Sequence, residues 1–280
     1  MRFLFFFAFL NISFNSFASG QDDPNDNDPY SGAMGDISIY SVYAGNPSLS
    51  TLIECKRLNV SFKNHYWTNE LNSWRCSFSS PSSWLATGIS LSGYGYEHYN
   101  YFHIGGDAGK DLSSSLAMGI GVDVYSLYYT GCDGRKNNLT IRIGAVFTPE
   151  KKFLFSCWIA NPFQTGFYNQ TGEKEKLPVQ ISSGFRLLLT EETRWSVEIE
   201  NSDFSRWKVK TGFEYEVKPV AFRCGLFAKP VVPTGGIGFS FLDFSLDLSV
   251  QYHNQLGVSF CCGLGWKFGK SIPLPLLPIP

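Results

Sequence analysis

Residues Phe244–His253 read FSLDLSVQYH and alternate without a break. Phe244, Leu246, Leu248, Val250 and Tyr252 fall on one side, and Ser245, Asp247, Ser249, Gln251 and His253 on the other. Successive side chains of a strand point to opposite faces, so this segment has one apolar and one polar face. Two settings suit it. The apolar face can pack on a second sheet while the polar face meets water, as in a sandwich. Alternatively it meets lipid, and the polar face is turned into the lumen of a closed barrel. Which setting holds decides the fold.

The same period runs through nearly all of the chain after Lys56. Arg206–Val217, RWKVKTGFEYEV, puts Trp207, Val209, Phe213, Tyr215 and Val217 on one side. SLAMGIGVDV does so with Leu116, Met118, Ile120, Val122 and Val124, and LTIRIGAVF with Leu139, Ile141, Ile143, Ala145 and Phe147. Near the end, VSFCCGLGWKF aligns Val258, Phe260, Cys262, Leu264, Trp266 and Phe268. Continued along the chain, the pattern predicts about fourteen strands of roughly ten residues, the length of a tilted membrane strand. Their starts fall near residues 57, 73, 84, 98, 115, 138, 153, 179, 194, 206, 220, 235, 244 and 257. Strands of soluble domains are shorter, ~5–6 residues.

The connections sort as well. One set of turns is tight, as at Lys218-Pro219 and Leu242-Asp243, and the alternate set is mostly longer, the longest spanning Gln164 to Leu177. Outer-membrane barrels have short turns on one side and longer loops on the other. Trp74, Trp195, Trp207 and Trp266 lie at or near strand ends, the place of an interfacial aromatic girdle. We therefore expect an all-β fold: a transmembrane, antiparallel, up-and-down barrel occupying residues 56–268, its apolar face outward.

Composition and the chain ends agree. Charged residues are 17%, below the ~25% of ordinary soluble domains, and aromatics are 16% with 27 glycines. A net charge of -1 gives nucleic acid no purchase. Arg2, the block FLFFFAFL and the small residues Ala18-Ser19-Gly20 predict an export signal over residues 1–20. The apolar block is too short to span a bilayer as a helix. Residues 21–31, with Asp22, Asp23, Asp26 and Asp28 among prolines, read as a solvated acidic leader. Residues 269–280 form a Pro-rich tail that cannot join a ladder. The seven cysteines include no CxxC pair. Cys76, Cys224 and Cys262 read as small apolar wall residues, with a disulfide involving Cys55 or Cys132 the alternative.

Hairpin parity identifies the wet face. If Trp195, Val197 and Ile199 share a side with Trp207 and Val209, then Glu198 and Glu200 oppose Arg206, Lys208 or Lys210, and Glu214 comes near Arg223. Asp123, Arg142, Arg186, Glu198, Glu200, Lys208, Lys210, Glu214, Arg223 and Asp247 are predicted to face the lumen. Their mixed signs favour a closed or narrow interior over an ion-selective ring. The four histidines show no metal-ligand spacing, and His98 or His103 beside Ser90 or Ser92 gives no defensible nucleophile turn. No enzyme activity, metal or cofactor is expected.

Gly32–Leu52, GAMGDISIYSVYAGNPSLSTL, resembles the N-terminal signature of FadL-type outer-membrane proteins, in which an Asn-Pro-Ala turn precedes the first strand. Here the turn is Asn46-Pro47-Ser48, with serine in place of the usual alanine. SLAMGIGVDVYSLYYTG, IGAVFTPEKKFLFSCWIANPF and VQYHNQLGVSFCCGLGWKFG resemble the smaller PorV/PorQ-like members of that superfamily, which are associated with type IX secretion in Gram-negative bacteria. The resemblance implies a hatch-like segment over residues 32–55, tucked into or under the periplasmic mouth of a barrel in the outer membrane. It also implies an accessory role in protein secretion, with outer-membrane lipid and a secretion channel or exported cargo as partners. The alternative is a FadL-like transporter or channel for a small or hydrophobic solute. The short outer loops count against fatty-acid-type transport.

Overall fold

A computed structural model describes residues 28–40, 45–130, 134–168 and 174–271. The expected export signal, most of the acidic leader and all but the first residues of the Pro-rich tail lie outside them. The strands are β1 (Lys56–Asn64), β2 (Asn72–Ser80), β3 (Ala86–Tyr96), β4 (Tyr99–Asp111), β5 (Leu116–Tyr129), β6 (Lys136–Glu150) and β7 (Phe153–Ala160). After these come β8 (Gly166–Tyr168), β9 (Lys174–Lys176), β10 (Gln180–Leu188), β11 (Thr193–Ser202) and β12 (Arg206–Val217). The last four are β13 (Val220–Phe227), β14 (Val232–Phe241), β15 (Phe244–His253) and β16 (Gly257–Phe268). Fourteen of them close into one antiparallel barrel, and β8 and β9 form a separate ribbon in the connection between β7 and β10. The seam pairs the first and last strands, from Lys56 opposite Phe268 to Asn64 opposite Phe260. No helix among the described residues is long and apolar enough to cross a membrane.

Closure answers the question raised by FSLDLSVQYH. Among the described residues, the apolar face of β15 packs on no second sheet. Phe244, Val250 and Tyr252 are 57%, 43% and 49% exposed on the outer wall, whereas Ser249 is 1% exposed inside. Ile89, Ile104, Ile120, Val209, Phe222 and Leu264 continue the outer band. Monomeric soluble proteins do not tolerate so continuous an apolar surface; hydrocarbon does. This is the architecture of outer-membrane barrels.

The connections sort less cleanly than expected. At the rim where the chain enters and leaves, the near rim, Lys218-Pro219 and Leu242-Asp243 are tight, yet Pro81–Leu85 is longer. At the far rim the Asn161–Val179 connection is long, but Glu97-His98 is a two-residue turn. Parity and closure, more than loop length, identify the barrel.

The burial pattern is inverted relative to a soluble protein. Inside the barrel the walls present serine, threonine and charged side chains. The small apolar core consists of Met34, Ile37, Ile39, Leu49, Leu52 and Ile53 packed on Ala117, Val146 and Leu154. Six of those nine precede β1. The hydrophobic centre of the molecule is thus supplied mainly by the N-terminal segment, which occupies the lumen.

Candidate functional site: the plugged lumen

The inserted segment has three short turns of helix. In α1 (Pro29–Ala33) the Asp28 carboxylate accepts from the Tyr30 N–H at 3.2 Å, and Pro29 takes the first helical position, where no N–H is needed. The helix thus starts at residue 29, inside the stretch read as a solvated leader, and the boundary expected at residue 32 falls within it. A 3₁₀ turn covers Ser38–Tyr40 and a second covers Pro47–Leu52, with Asn46 as its cap.

Asn46 shows why this position carries an amide. Its Oδ1 accepts from the Ser48 N–H (2.9 Å) and hydroxyl (2.6 Å), closing the cap. Its Nδ2 donates outward to the Ala145 carbonyl (2.8 Å), the Ser156 hydroxyl (2.9 Å) and the Cys157 carbonyl (3.2 Å). Ala145 and Cys157 are cross-strand partners on β6 and β7, so one amide staples the turn to two wall strands. An aspartate could cap but could not donate. Serine at 48 adds a hydroxyl bond that alanine could not form.

Where the segment touches the wall, the wall is glycine. A Cβ on Gly144 would overlap the Asn46 side chain, and one on Gly119 would overlap the Pro47-Ser48 backbone. Gly212 and Gly225 receive Met34 and Gly35 in the same way, and Gly236 receives Ala33. The register pairs Gly119 with Gly144 and Gly212 with Gly225, making two backbone-to-backbone saddles on the inner wall.

Three ionic clusters hold the remainder. In the first, Arg142 donates from Nε to Asp123 Oδ2 (2.6 Å), and from Nη2 to Asp123 Oδ1 (2.9 Å) and Asp107 (2.9 Å). Its Nη1 donates to the Gly45 carbonyl at 2.8 Å. In the second, Lys210 lies 2.7 Å from Glu200 and 3.4 Å from Glu198 and donates to the Asp36 carbonyl at 2.6 Å. Glu198 accepts from the Ser38 N–H and hydroxyl, both at 2.8 Å, while the Trp158 indole donates to the same hydroxyl at 2.8 Å. In the third, Glu214 accepts from Arg194 (2.8 Å), Arg223 (2.9 Å) and the Tyr30 hydroxyl (2.6 Å). Arg223 also meets Asp247 at 2.5 Å and lies 3.9 Å above the Tyr30 ring. Each cluster grips a different part of the segment: Gly45, Asp36 with Ser38, or Tyr30. Buried charges of this kind need complete pairing, because removing one partner strands another at a cost of about 3–5 kcal/mol.

Of the charges predicted to face the lumen, Asp123, Arg142, Glu198, Glu200, Lys210, Glu214, Arg223 and Asp247 are gathered into these clusters. Arg186, 2% exposed, is on β10 opposite Leu154 and Ser196. Lys208 is half-buried opposite Glu200. The sequence reading missed Asp107, His103, Arg194, Tyr30, Ser38 and Trp158. It left Ser92 and His103 undefended, yet the structure joins them: Ser92 Oγ is 3.2 Å from His103 Nδ1, and His103 Nε2 is 2.8 Å from Asp123. All three are at most 3% exposed, and Asp123 is already clamped by Arg142. This is a sealed structural relay with no route for a substrate to the hydroxyl. No group of metal-ligating side chains occurs among the described residues. Outside the strands, loss of solvent around Asp28, with the Asp247 carboxylate adding to it, pushes the Asp28 carboxyl up to about 6.

No protein-family model matches the chain, and no curated protein matches it by sequence. Solved structures do match in shape. A ΔS2 mutant of the TodX monoaromatic hydrocarbon channel superposes with a TM-score of 0.69 at 10% identity, over 88% of this chain and 100% of that one. The Ralstonia pickettii toluene transporter TbuX gives 0.63 at 13% identity, over 88% and 100%. A Pseudomonas aeruginosa FadL homologue gives 0.64 at 10% identity, over 87% and 98%. At these identities the likeness is one of fold: the closed, all-antiparallel, fourteen-stranded barrel of this chain superposes on those transporters over nearly their whole length.

Proposed function

We propose that the protein is a non-enzymatic outer-membrane transporter or channel for a small hydrophobic solute, its near rim facing the periplasm and its lumen held shut by residues 28–40 and 45–53. The observation that carries this reading is the plug itself: a separate segment docked across the lumen through hydrogen bonds to wall side chains that include Arg142, Ser156, Glu198, Lys210, Glu214 and Thr234, in a fold shared with hydrocarbon transporters. Beyond the plug, toward the far rim, the inner wall is aromatic. Tyr94, Tyr101 and Tyr125 are half-buried there, Tyr125 5.4 Å from Tyr101, and the fully buried His103 and His65 rings pack against Tyr125 and Tyr94 at 4.8 and 5.5 Å. Such a surface suits a flat or apolar solute approaching from outside. The transporter reading takes precedence over the secretion-accessory role suggested by the PorV/PorQ-like segments, for which the structural neighbours offer no support.

The test is expression in a Gram-negative host, with fractionation and heat-modifiable gel migration to follow the barrel, and uptake of radiolabelled toluene as the probe. Outer-membrane recovery with uptake above an empty-vector control supports the proposal. A correctly folded outer-membrane barrel that raises uptake of no apolar probe and instead co-purifies with a secretion channel overturns it.

A further inference from the structure

A cleft of about 460 Å³ lies on the outer wall of β2, β3 and β4 close to the far rim, apart from the plugged lumen. The strand register shows how it arises. One cross-strand row on the lipid-facing side runs Phe62, Trp74, Gly93, Phe102, Ser126. The next row toward the rim pairs Asn64 with Asn72 and then Gly95 with Asn100 and Tyr128. At Gly93 the wall has no side chain and the Trp74 indole lies directly on its backbone, its centroid 6.1 Å from that of Phe102, so the cleft is lined by these two rings and, one row above, by the bare backbone of Gly95. The lower row is aromatic and the upper row is amide; two residues along a strand separate them by about 7 Å. At the upper end Arg135 donates to the Asn100 side-chain carbonyl at 2.7 Å, and its guanidinium lies 6.0 Å from the Tyr128 ring centroid. That bond uses one of the five donors an arginine carries.

We propose that this cleft binds an anionic lipid of the surrounding leaflet, one acyl chain lying against Trp74 and Phe102 and its phosphate meeting Arg135 and the Asn72 and Asn100 amides. The pattern of the wall matches the pattern of such a molecule. Hydrocarbon meets rings and bare backbone one step below the boundary, and the charged group meets a cation and amide donors one step above it. Inorganic phosphate would use only the upper half of the site. A zwitterionic headgroup would bring its own cation next to the guanidinium.

The test uses the folded barrel in nanodiscs carrying a small fraction of brominated-chain phosphatidylglycerol or, in parallel, phosphatidylcholine with the same chains. Bromine quenches indole on contact, and the Trp74→Phe variant isolates the share due to Trp74. The expected result is about fivefold preference for the anionic lipid at Trp74, the worth of one basic residue at an anionic surface. Arg135→Gln should bring the preference to parity with heat-modifiable migration retained, and millimolar inorganic phosphate should leave it unchanged. Equal quenching by the two headgroups in the wild-type protein overturns the proposal, as does a preference that survives Arg135→Gln. Loss of the preference on adding phosphate also overturns it, by showing a free-anion site in place of a lipid site. Because the readout is lipid contact, it fails or succeeds independently of the transport reading.

Discussion

Asn46 offers the sharpest perturbation of the plug. Replacing it with alanine removes the two bonds accepted from Ser48 and the two Nδ2 hydrogens that Ala145, Ser156 and Cys157 share. Losing the cap costs about 1 kcal/mol. The two donors to the wall are neutral and net about 1 kcal/mol each. Together they give about 3 kcal/mol against seating, a shift of roughly 10² in the ratio of seated to released plug. Aspartate at the same position keeps the cap yet turns a carboxylate toward two carbonyls that the amide meets at 2.8 and 3.2 Å. Asn46→Asp should therefore unseat the plug more than Asn46→Ala, although it is the closer isostere. Planar-bilayer conductance and hydrogen exchange over residues 46–52 read the effect, with both rising in the order wild type, alanine, aspartate. Variants that stay closed with wild-type exchange, or an aspartate variant milder than alanine, would refute the reasoning.

The saddle at Gly212 gives a steric counterpart. Gly212→Val must lift Met34, and with it the 2.9 Å bond from Gly35 N–H to Thr234, so conductance should rise, whereas Gly106→Ala, with nothing within 4 Å, should leave it unchanged. Arg142→Lys loses the forked contact to Asp123 and the bond to Gly45, and should lower the temperature of heat-modified migration by an amount equivalent to about 3–5 kcal/mol. Restoration by the added changes Asp107→Asn and Asp123→Asn would identify stranded charge as the cause. For Asp28 the seated carboxyl, at about 6, holds its proton more tightly than the ordinary 3.8, so seating is strongest below pH 3.8, weakens as pH rises through the window to about 6, and is flat above it. The swing is of the order of 3 kcal/mol. Asp28→Asn keeps the cap and should abolish this pH dependence in the conductance assay.

Most of the wall was legible because its outer face is written in large apolar residues with period two. The expected starts of β7, β12, β13, β15 and β16 coincide with the observed ones, and β14 begins at Val232 where residue 235 was expected. Parity brings Glu198 and Glu200 opposite Arg206, Lys208 or Lys210, among which the register selects Lys210 for Glu198 and Lys208 for Glu200, and the tight Lys218-Pro219 turn brings Glu214 to Arg223. Asp107 and His103 were missed for a related reason: in β4 the outward positions include Gly106 and Ala108, and glycines also occupy inward positions 105 and 109, which erases the contrast between faces. Arg194 sits at a strand end, where periodicity fades. The contacts of Tyr30, Ser38 and Trp158 are tertiary. Their partners lie 120 or more residues away, and no local pattern announces them.

The seam between β1 and β16 sets a timetable for biogenesis. Met34, Ile37, Leu49 and Leu52 come early in the chain and directly precede the first strand, yet their enclosure needs the ring complete, and the ring is completed by the strand that emerges last. Until Gly257–Phe268 arrives, those greasy residues have no finished shelter, so a polypeptide shortened ahead of that strand should be captured by chaperones through its beginning, although the lesion lies at its end.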